Sequence, residues 1–374
     1  MPGNKGGIEM KIDGKQYRSL WWDESNTCLK IIDQRRLPHE FKTEALMSVA
    51  DCIQAIAEMK VRGAPLIGVT AAYAIAIAMA KDPTDDFLNS SVASLAGSRP
   101  TAVNLFWALH KCRQRLKNVA LSNRAAAALE FAHHMAESDV NVNHAIGQHG
   151  LAIIKQLSRE KPDGEPVRIL THCNAGWLAT VDWGTATSPI YQAHDAGISV
   201  EVWVDETRPR NQGTITLWEL NNHGVPCTYI ADNAGGYLMQ HDMVDMVIVG
   251  TDRTSRQGDV CNKIGTYLKA LSARDNNVPF YVALPSSTID WNLSDAVKET
   301  PIEERDSKEV SSVIGLNEMG AVASVQIVPE NVNIANPAFD VTPRRLITGL
   351  ITERGVCEAS EESLCSMFSD LAKA

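Results

Sequence analysis

The spacing of hydrophobic residues differs between the two halves of this chain. After strand-like stretches at 17–22 and 28–32, apolar residues recur at the three-to-four-residue period of amphipathic helices as far as about residue 154. The same region is rich in Ala, Leu, Met and Lys, and it predicts helices at 45–59, 67–79, 103–116 and 123–135. The segment 83–100 is rich in Ser, Asp and Gly, so we predict a loop there.

Beyond a polar linker at 158–166, short β-branched runs alternate with helical patterns. The predicted strands are 167–171, 199–204, 226–231, 246–250 and 280–284. The predicted helices between them are 214–222, 237–241 and 264–273. This alternation is typical of a parallel sheet with right-handed crossovers. Two later stretches, 321–328 and 345–352, are expected to add another strand and a closing helix.

The length of 374 residues exceeds the size at which a single hydrophobic core usually stops growing. We therefore predict an α/β protein of two domains. Residues 1–158 form a mainly helical domain with a small strand-containing start, and residues 159–374 form a parallel-sheet domain.

Composition and charge narrow the class of protein. The net charge of −10 argues against nucleic acid or a membrane surface as the main partner, although it leaves room for a local basic pocket. The eight cysteines are scattered without CxxC pairs, as expected for reduced thiols in a cytosol-like compartment. No apolar run approaches the length of a membrane span, and residues 1–7 lack the apolar core of a secretory signal. We expect a soluble intracellular protein.

Each of the five predicted strands ends in a polar cluster that a purely structural sheet would not need. These clusters occupy 173–174, 205–213, 232–233, 250–253 (with 258–259 and 262–263 following) and 285–287. Ligands of open α/β sheets bind outside the carboxyl ends of the strands. Because the five clusters should meet at that edge, we predict a functional site there.

Individual residues in these clusters have both functional and structural interpretations. Cys173 is a candidate catalytic thiol, but a half-buried cysteine is more often inert. Asp252 follows an apolar strand, so burial could raise its pKa and make it a general acid, or it could cap a helix. Asn262 and Lys263 could bind a phosphate, or Lys263 could be a surface lysine. The pair at 232–233 fits a turn or cap equally well.

The helical half contributes a possible anion site of its own at 61–68. Arg62, followed by small residues and a helix start, offers a cation beside free backbone N–H groups. Alternatively, Gly63 ends one helix and Pro65 begins the next without any ligand. Arg99 lies at a second loop-to-helix junction. Together with Lys263, these two arginines would hold a phosphorylated small molecule.

Several common sites are absent from the sequence. There is no G-x-G-x-x-G after a strand, no phosphate-binding G-x-x-x-x-G-K-[ST] loop and no G-x-S-x-G elbow. The histidines lack metal-ligand spacing, and His172 should point to the opposite face of its strand from Cys173. We predict neither a metal nor an organic cofactor.

The motifs at these positions resemble those of the methylthioribose-1-phosphate isomerase family. That family belongs to a superfamily with the alpha, beta and delta subunits of translation initiation factor 2B and with ribose-1,5-bisphosphate isomerases. The matches run in order from about residue 37 to residue 355. They comprise RGAP at 62–65, SRPTAVN at 98–104, THCNAG at 171–176, ETRP at 206–209, QG at 212–213, GTDR at 250–253, GDVCNKIGTY at 258–267, PIEER at 301–305 and NPAFDVTP at 336–343.

The resemblance implies a Rossmann-like second domain, a homodimer and isomerisation of 5-methylthioribose 1-phosphate to 5-methylthioribulose 1-phosphate in methionine salvage. It implies a cytoplasmic protein and is compatible with presence in the nucleus. Cys173 and Asp252 match the catalytic pair, with Asp252 as the usual proton donor. The substrate-binding positions that match are Arg62, Gly63, Ala64, Arg99, Gln212, Asn262 and Lys263. Gln257 and Thr251 depart from the common Asn and Ala, and neither belongs to the catalytic pair.

This chemistry suits the residues. The sugar is locked as a glycosyl phosphate, so an acid must protonate the ring oxygen, a role for Asp252 held protonated. The hydrogen on C2 must then reach C1. Either Cys173 as a thiolate removes it as a proton, or it shifts as a hydride while Cys173 stabilises the transition state. An apolar enclosure would exclude water in both routes.

Two other functions are alternatives to this isomerase: a regulatory binding subunit and an isomerase of sugar bisphosphates. A noncatalytic regulatory subunit of initiation factor 2B would need neither Cys173 nor Asp252. A sugar-bisphosphate isomerase would need a further cation for the 5-phosphate, where a methylthio group needs an apolar pocket. The aromatic-rich stretches 105–107 and 177–178 could line that pocket or belong to the core.

Overall fold

The computed structural model describes residues 10–12, 14–99 and 102–372. The first half contains a small hairpin, a three-stranded antiparallel sheet and five helices. The strands are β1 Lys11–Ile12, β2 Lys15–Gln16, β3 Leu20–Asp23, β4 Cys28–Ile32 and β5 Thr43–Leu46. The helices are α1 Val49–Ala57, α2 Ala64–Lys81, α3 Asp85–Ala96, α4 Val103–Leu116 and α5 Leu121–Arg159.

Helix α2 is the centre of the helical half. It packs against α1, α3, α4 and α5, and 13 of its 18 residues are buried. By length and composition it could cross a membrane, so the expectation that no apolar run approaches a membrane span is wrong. A helix that is apolar on every side is also what a core position requires, and here neighbouring helices cover it.

The second half begins with β6, directly after a short connection from α5. Its strands are β6 Val167–Thr171, β7 Val200–Asp205, β8 Cys227–Ile230, β9 Met246–Val249, β10 Arg253–Ser255, β11 Val260–Lys263, β12 Phe280–Ala283, β13 Ile289–Asp290, β14 Ser312–Leu316, β15 Val322–Gln326, β16 Phe339–Thr342, β17 Gly349–Thr352 and β18 Gly355–Cys357. Its helices are α6 Ser188–Asp195, α7 Gly213–His223, α8 Ala234–Gln240, α9 Thr266–Asp275, α10 Ala296–Glu299, α11 Lys308–Ser311 and α12 Glu361–Met367.

Seven of these strands form the main sheet in the order β18-β17-β12-β9-β6-β7-β8. All neighbours are parallel except the edge strand β18. The six parallel strands have the Rossmann order 3-2-1-4-5-6. The first three strands extend to one side of the sheet and the last three to the other, so the strand order reverses between β6 and β9. The predicted α/β class with a Rossmann-like second half is confirmed.

Two smaller units are attached to the main sheet. Strands β13, β10, β11 and β16 form a four-stranded sheet that continues from the end of β9. Strands β14 and β15 form a separate antiparallel hairpin with exposed apolar side chains, including Ile314 and Val325. The stretch predicted as a strand at 321–328 therefore forms β15 in this hairpin rather than joining the main sheet.

Four predicted elements need correction. The predicted loop at 83–100 contains α3, because the Thr84 hydroxyl caps it and two acidic residues occupy its first turn. The predicted closing helix at 345–352 contains the buried strand β17, and α12 closes the chain instead. Residues 45–59 are divided between β5 and α1, where Ser48 and Asp51 form a capping box. The helix predicted at 123–135 is part of α5, which has 39 residues.

The division into domains at 158/159 stays a prediction. Helix α5 ends at Arg159, one residue beyond the predicted boundary, and β6 begins after the polar connection. All eight cysteines are free thiols.

Candidate active site

A pocket opens at the carboxyl ends of β6, β7, β9 and β12, at the point where the strand order reverses. Cys173 follows β6 and Asp252 follows β9, so the two strands that flank the reversal supply the predicted catalytic pair. Every predicted substrate-binding residue also lines this pocket, namely Arg62, Gly63, Ala64, Arg99, Gln212, Asn262 and Lys263. Four of the five predicted strand-end clusters contribute residues to this pocket.

Cys173 has a constrained backbone in the left-handed region, with φ of 68°. This conformation is uncommon for a residue with a side chain and is concentrated at functional sites. Its N–H donates to Thr207 Oγ1 at 2.8 Å, and its carbonyl accepts from Thr216 Oγ1 at 2.9 Å. Burial raises the pKa of the Cys173 thiol, although Arg62 and Lys263 oppose this shift. The raised pKa therefore favours the protonated thiol form of Cys173.

Asp252 lies between β9 and the small sheet, and its N–H donates to the Cys261 carbonyl at 3.0 Å. A strand, β10, follows it, so the alternative role as a helix cap is wrong. Burial raises the pKa of Asp252, while Lys263, Arg99 and Arg62 act in the opposite direction without cancelling the effect. A carboxyl group with a raised pKa is suited to act as a general acid.

The N-terminus of α2 borders the pocket and begins at the predicted anion site. Arg62 donates from Nη1 to Asn174 Oδ1 at 2.6 Å and from Nη2 to the Asn174 carbonyl at 3.0 Å. Gly63 has φ of 92°, and a Cβ placed there would lie 2.3 Å from the Ala179 carbonyl oxygen. Only glycine fits that close approach, and Gly63, Ala64 and Pro65 at the start of α2 all line the pocket.

Three cations of the pocket lack carboxylate partners. Within the described ranges, Arg62, Arg99 and Lys263 form no ion pair with Asp or Glu. Lys263 ends β11 and is only 8 % exposed, so it is not a surface helix lysine. Its Nζ lies 4.3 Å from the centre of the Phe339 ring. Buried cations without counter-ions are suited to bind an anion.

Amide groups complete the polar lining. Gln212, directly before α7, is 7 % exposed, and its Oε1 has no hydrogen-bond partner among the described residues. Asn262 donates from Nδ2 to Thr266 Oγ1 at 3.0 Å. A buried acceptor without a partner is costly unless a ligand supplies the donor, so Gln212 is placed to accept a hydrogen bond from a ligand.

Two further arginines line the pocket, and sequence reasoning gave neither of them a role. Arg305 donates to Glu303 at 2.7 Å and to Glu309 at 2.6 Å, and Arg210 donates to Glu309 at 2.6 Å. Despite the opposing effect of burial, these two arginines lower the pKa of Glu309 to about 2. Their charges are therefore neutralised within the protein. The family motif PIEER was the only sequence signal for Arg305.

Some predicted contributors do not reach the pocket. Asp232 accepts from the N–H groups of Thr207 and Arg208 instead, because β8 is the edge strand of the sheet. Trp177 and Leu178 are buried in the core, and Trp107 lines a different cavity with Ser286 and Ser287. The apolar lining of the pocket includes Met59, Ala179, Pro285 and Phe339. Pro100 and Thr101 of the SRPTAVN motif lie outside the described residues.

Comparison with known proteins gives one consistent family. Residues 60–359 match the initiation factor 2 subunit family. Among curated relatives, the methylthioribose-1-phosphate isomerase of Brucella anthropi is 61% identical over 96% of this chain and 100% of its own length. The enzyme of the same name from Escherichia coli is 57% identical over 97% of each chain.

Solved structures carry the same fold under two names. The 5-methylthioribose 1-phosphate isomerase of Pyrococcus horikoshii matches with a TM-score of 0.81 and 37% identity, covering 95% of this chain and 97% of that one. The delta subunit of translation initiation factor eIF-2B from A. fulgidus matches with a TM-score of 0.78 and 38% identity, covering 95% and 100%. The solved structures alone do not decide between an isomerase and a translation factor, since both names occur among them. The curated relatives at about 60% identity are named as isomerases, and they favour the enzyme.

Proposed function

The chain belongs to the methylthioribose-1-phosphate isomerases within the initiation factor 2 subunit family, and on that premise we propose how its pocket works. The chain is an aldose–ketose isomerase, an intramolecular oxidoreductase that converts 5-methylthio-D-ribose 1-phosphate into 5-methylthio-D-ribulose 1-phosphate in methionine salvage. Asp252 acts as the acid, Cys173 faces the carbon that is reduced, and Arg62, Arg99 and Lys263 bind the phosphate.

One observation carries this assignment of residues. A carboxyl group with a raised pKa and a thiol with a raised pKa share one pocket with three cations that have no carboxylate partner among the described residues. A phosphate would satisfy the cations, and a protonated carboxyl group would supply the proton that opens the ring. A regulatory binding module would need neither the protonated carboxyl group nor the thiol.

The phosphate is held at the N-terminus of α2. Arg62 is fixed by Asn174, so its guanidinium is already oriented before substrate binds. Backbone N–H groups at a helix N-terminus add to the attraction for an anion. Gly63 and Ala64 permit close approach at this end, and Gln212 and Asn262 bind sugar hydroxyl groups.

The reaction is balanced with Asp252 alone as the proton carrier. Asp252 gives its proton to the ring oxygen, the bond from that oxygen to C1 breaks, and positive charge develops at C1. The C2 hydrogen moves to C1 with its electron pair, and the C2 hydroxyl returns its proton to Asp252 as the ketone forms. Phosphate stays on C1 throughout, and no external oxidant or reductant is consumed.

The state of Cys173 supports this hydride route over proton abstraction. Abstraction would require a thiolate, but burial raises the pKa of the thiol. Arg62 and Lys263 are the largest influences that favour the thiolate, and a bound phosphate would neutralise both. Cys173 therefore stays protonated and stabilises the transition state by contact with the reacting carbons.

Isotope transfer tests the route. Substrate carrying deuterium at C2 is converted in ordinary water, and the product is analysed by proton NMR. The hydride route retains the deuterium at C1, since that hydrogen never exchanges with solvent. Hydrogen from solvent at C1 would show that a base removes the C2 hydrogen as a proton, and the assignment of Cys173 as a thiol would fall.

Assembly and location are further proposals. The family resemblance supports a homodimer, which a solution mass of twice the 40.8 kDa chain would verify. A metabolic enzyme with bacterial relatives fits a soluble cytoplasmic protein. Presence in the nucleus stays a prediction.

A further inference from the structure

The two neighbours His172 and Cys173 lie on opposite sides of the end of β6. Cys173 faces the pocket, whereas the His172 side chain is fully buried among three other charged groups. His172 Nδ1 lies 2.8 Å from Asp205, and Lys269 Nζ lies 2.9 Å from the same carboxylate. Asp232 completes the group, at 3.9 Å from His172 and 3.7 Å from Lys269. We call these four residues the His172 cluster.

The hydrogen bonds of His172 define its charge. Nδ1 faces the Asp205 carboxylate, and Nε2 faces the Ile264 carbonyl at 2.9 Å. Both partners can only accept, so both ring nitrogens must carry hydrogens and the ring is an imidazolium. With Lys269 the cluster has two positive charges, and the two carboxylates balance them. Buried charges that are fully paired and hydrogen-bonded can be held in a core.

The His172 cluster is not a metal site, although three of its side chains could ligate an ion. The Lys269 ammonium already lies against the carboxylates, at 2.9 Å from Asp205. A divalent cation would have to displace it and would meet the positive charge of His172.

Gly265 lies against the His172 ring. It has φ of 102° and leaves room for the ring, since a Cβ there would lie 3.0 Å from His172 Cε1.

A hydrogen-bonded chain leads from this cluster to the catalytic thiol. Thr207 Oγ1 donates its only hydrogen to Asp205 Oδ1 at 2.8 Å. Its lone pair therefore accepts the Cys173 N–H, also at 2.8 Å. This bond fixes the peptide that places Cys173 in its left-handed conformation. His172 also contacts the segment that carries Lys263, because its Nε2 faces the carbonyl of Ile264, the residue directly after Lys263.

We propose that the His172 cluster is a positioning device, which acts through Thr207 to hold Cys173 and through Ile264 to hold Lys263 in register across the pocket. The proposal rests on the proposed function of Cys173. It explains why a charged, largely buried cluster lies one residue from a catalytic group: a well-paired network keeps a strained backbone in one conformation. Displacement of a reacting group by about 1 Å can cost on the order of a hundredfold in rate.

The test removes the Thr207 hydroxyl without changing the volume of the side chain. Thr207→Val should lower kcat about ten- to a hundredfold, while the Michaelis constant changes less than about threefold because the phosphate-binding cations are untouched. Thr207→Ser keeps the hydroxyl and should restore most of kcat. Thr342→Val is the matched control, since the Thr342 hydroxyl is buried and has no partner among the described residues. It should behave as the wild type.

A second readout separates this proposal from the proposed function. The rate at which iodoacetamide alkylates Cys173, followed by peptide mass spectrometry without substrate, should change severalfold in Thr207→Val and remain unchanged in Thr207→Ser. If Cys173 proves irrelevant to turnover, this readout still reports its position. Should Thr207→Val fail to fold, Thr207→Ala replaces it with the same expectations. Wild-type kcat and alkylation in the hydroxyl-free variant, or equal losses in Thr207→Ser, would overturn the proposal.

Discussion

Asp205 and Asp252 are carboxyl groups at the ends of two strands of one sheet, yet their surroundings shift their pKa values in opposite directions. Burial tends to raise both. At Asp205, contacts with His172 and Lys269 outweigh burial and lower the pKa. At Asp252, the cations Lys263, Arg99 and Arg62 fail to outweigh burial, and the pKa is raised. The first group therefore favours the ionised form, and the second can carry a proton.

The difference shows that two groups of charged residues at one sheet edge have different roles: the His172 cluster is structural, and the pocket carries the chemistry. Every charge in the His172 cluster has a partner of opposite sign at short distance. The pocket on the other side leaves cations without carboxylate partners and an acid without a dedicated cation among the described residues. Titratable groups whose environments separate their pKa values are the usual mark of an acid–base site. The pocket therefore carries the catalytic chemistry, and the His172 cluster keeps the neighbouring backbone rigid.

The largest expected effect comes from the thiol. Cys173→Ser should lower kcat by about two or more orders of magnitude, because the replacement is smaller, more polar and less polarisable at the reacting carbons. Folding should be little changed, since the substitution nearly conserves volume. Cys227→Ser is the control, because that thiol lies at the sheet edge away from the pocket. Near wild-type turnover in Cys173→Ser would remove the thiol from the mechanism.

The second effect concerns the neutralised arginines. Arg210 and Arg305 are paired with Glu303 and Glu309, so they offer no free charge to a second phosphate. Ribose 1,5-bisphosphate should be converted at least about a hundredfold less efficiently than methylthioribose 1-phosphate, a gap of about 2.7 kcal/mol. The two kcat/KM values in one buffer give the ratio.

The variant Glu309→Gln sharpens that measurement. It removes the carboxylate shared by Arg210 and Arg305, so the bisphosphate should become a relatively better substrate. A ratio near one in the wild type would mean that the paired arginines already bind phosphate, and the chain would then be a bisphosphate isomerase.

A smaller effect is expected from the phosphate-binding cations. Arg62→Ala and Lys263→Ala should each raise the Michaelis constant roughly 10- to 150-fold, because a charge-assisted hydrogen bond contributes about 1.5–3 kcal/mol. Arg354→Ala is the control, since its partner Asp370 lies on the surface. Unchanged Michaelis constants in both pocket variants would place the phosphate elsewhere.

The two carboxyl groups should also respond at opposite ends of the pH range. The pKa of Asp252 is raised, and its proton is needed, so kcat should fall as pH rises through that value. The pKa of Asp205 is lowered, so its contribution to the free energy of unfolding is present above its unfolded pKa, about 4, and is lost as pH falls below it. Measuring kcat at saturating substrate removes the ionisation of free phosphate. A kcat that rises steadily with pH would contradict the role of Asp252 as an acid.

Much of the sheet could be predicted from the sequence because its strands are short segments rich in β-branched and other apolar residues. Strand β17 was mistaken for a helix, since a short apolar run has no period of its own. Helix α3 was missed because its Ser and Asp content resembles a loop, while the Thr84 cap stabilises it. Both errors concern segments whose local pattern does not separate helix, strand and loop.

The site was predictable where it follows the strands and unpredictable where the chain returns from a distance. Cys173 and Asp252 follow β6 and β9 directly, so polar residues after apolar runs revealed them. Arg305 and Phe339 reach the pocket from segments beyond β13, and no spacing connects them to the sheet edge. The His172 cluster needed the three-dimensional structure, since its members come from β7, α9 and the loops after β6 and β8.

The central claim is that Asp252 donates the proton that opens the ring. Its most direct test is the kcat of Asp252→Asn on methylthioribose 1-phosphate, measured beside its Michaelis constant and melting temperature. The amide cannot act as an acid, so kcat should fall about a hundredfold or more while the other two values stay close to those of the wild type. A kcat near the wild-type value in a folded Asp252→Asn protein would contradict the account.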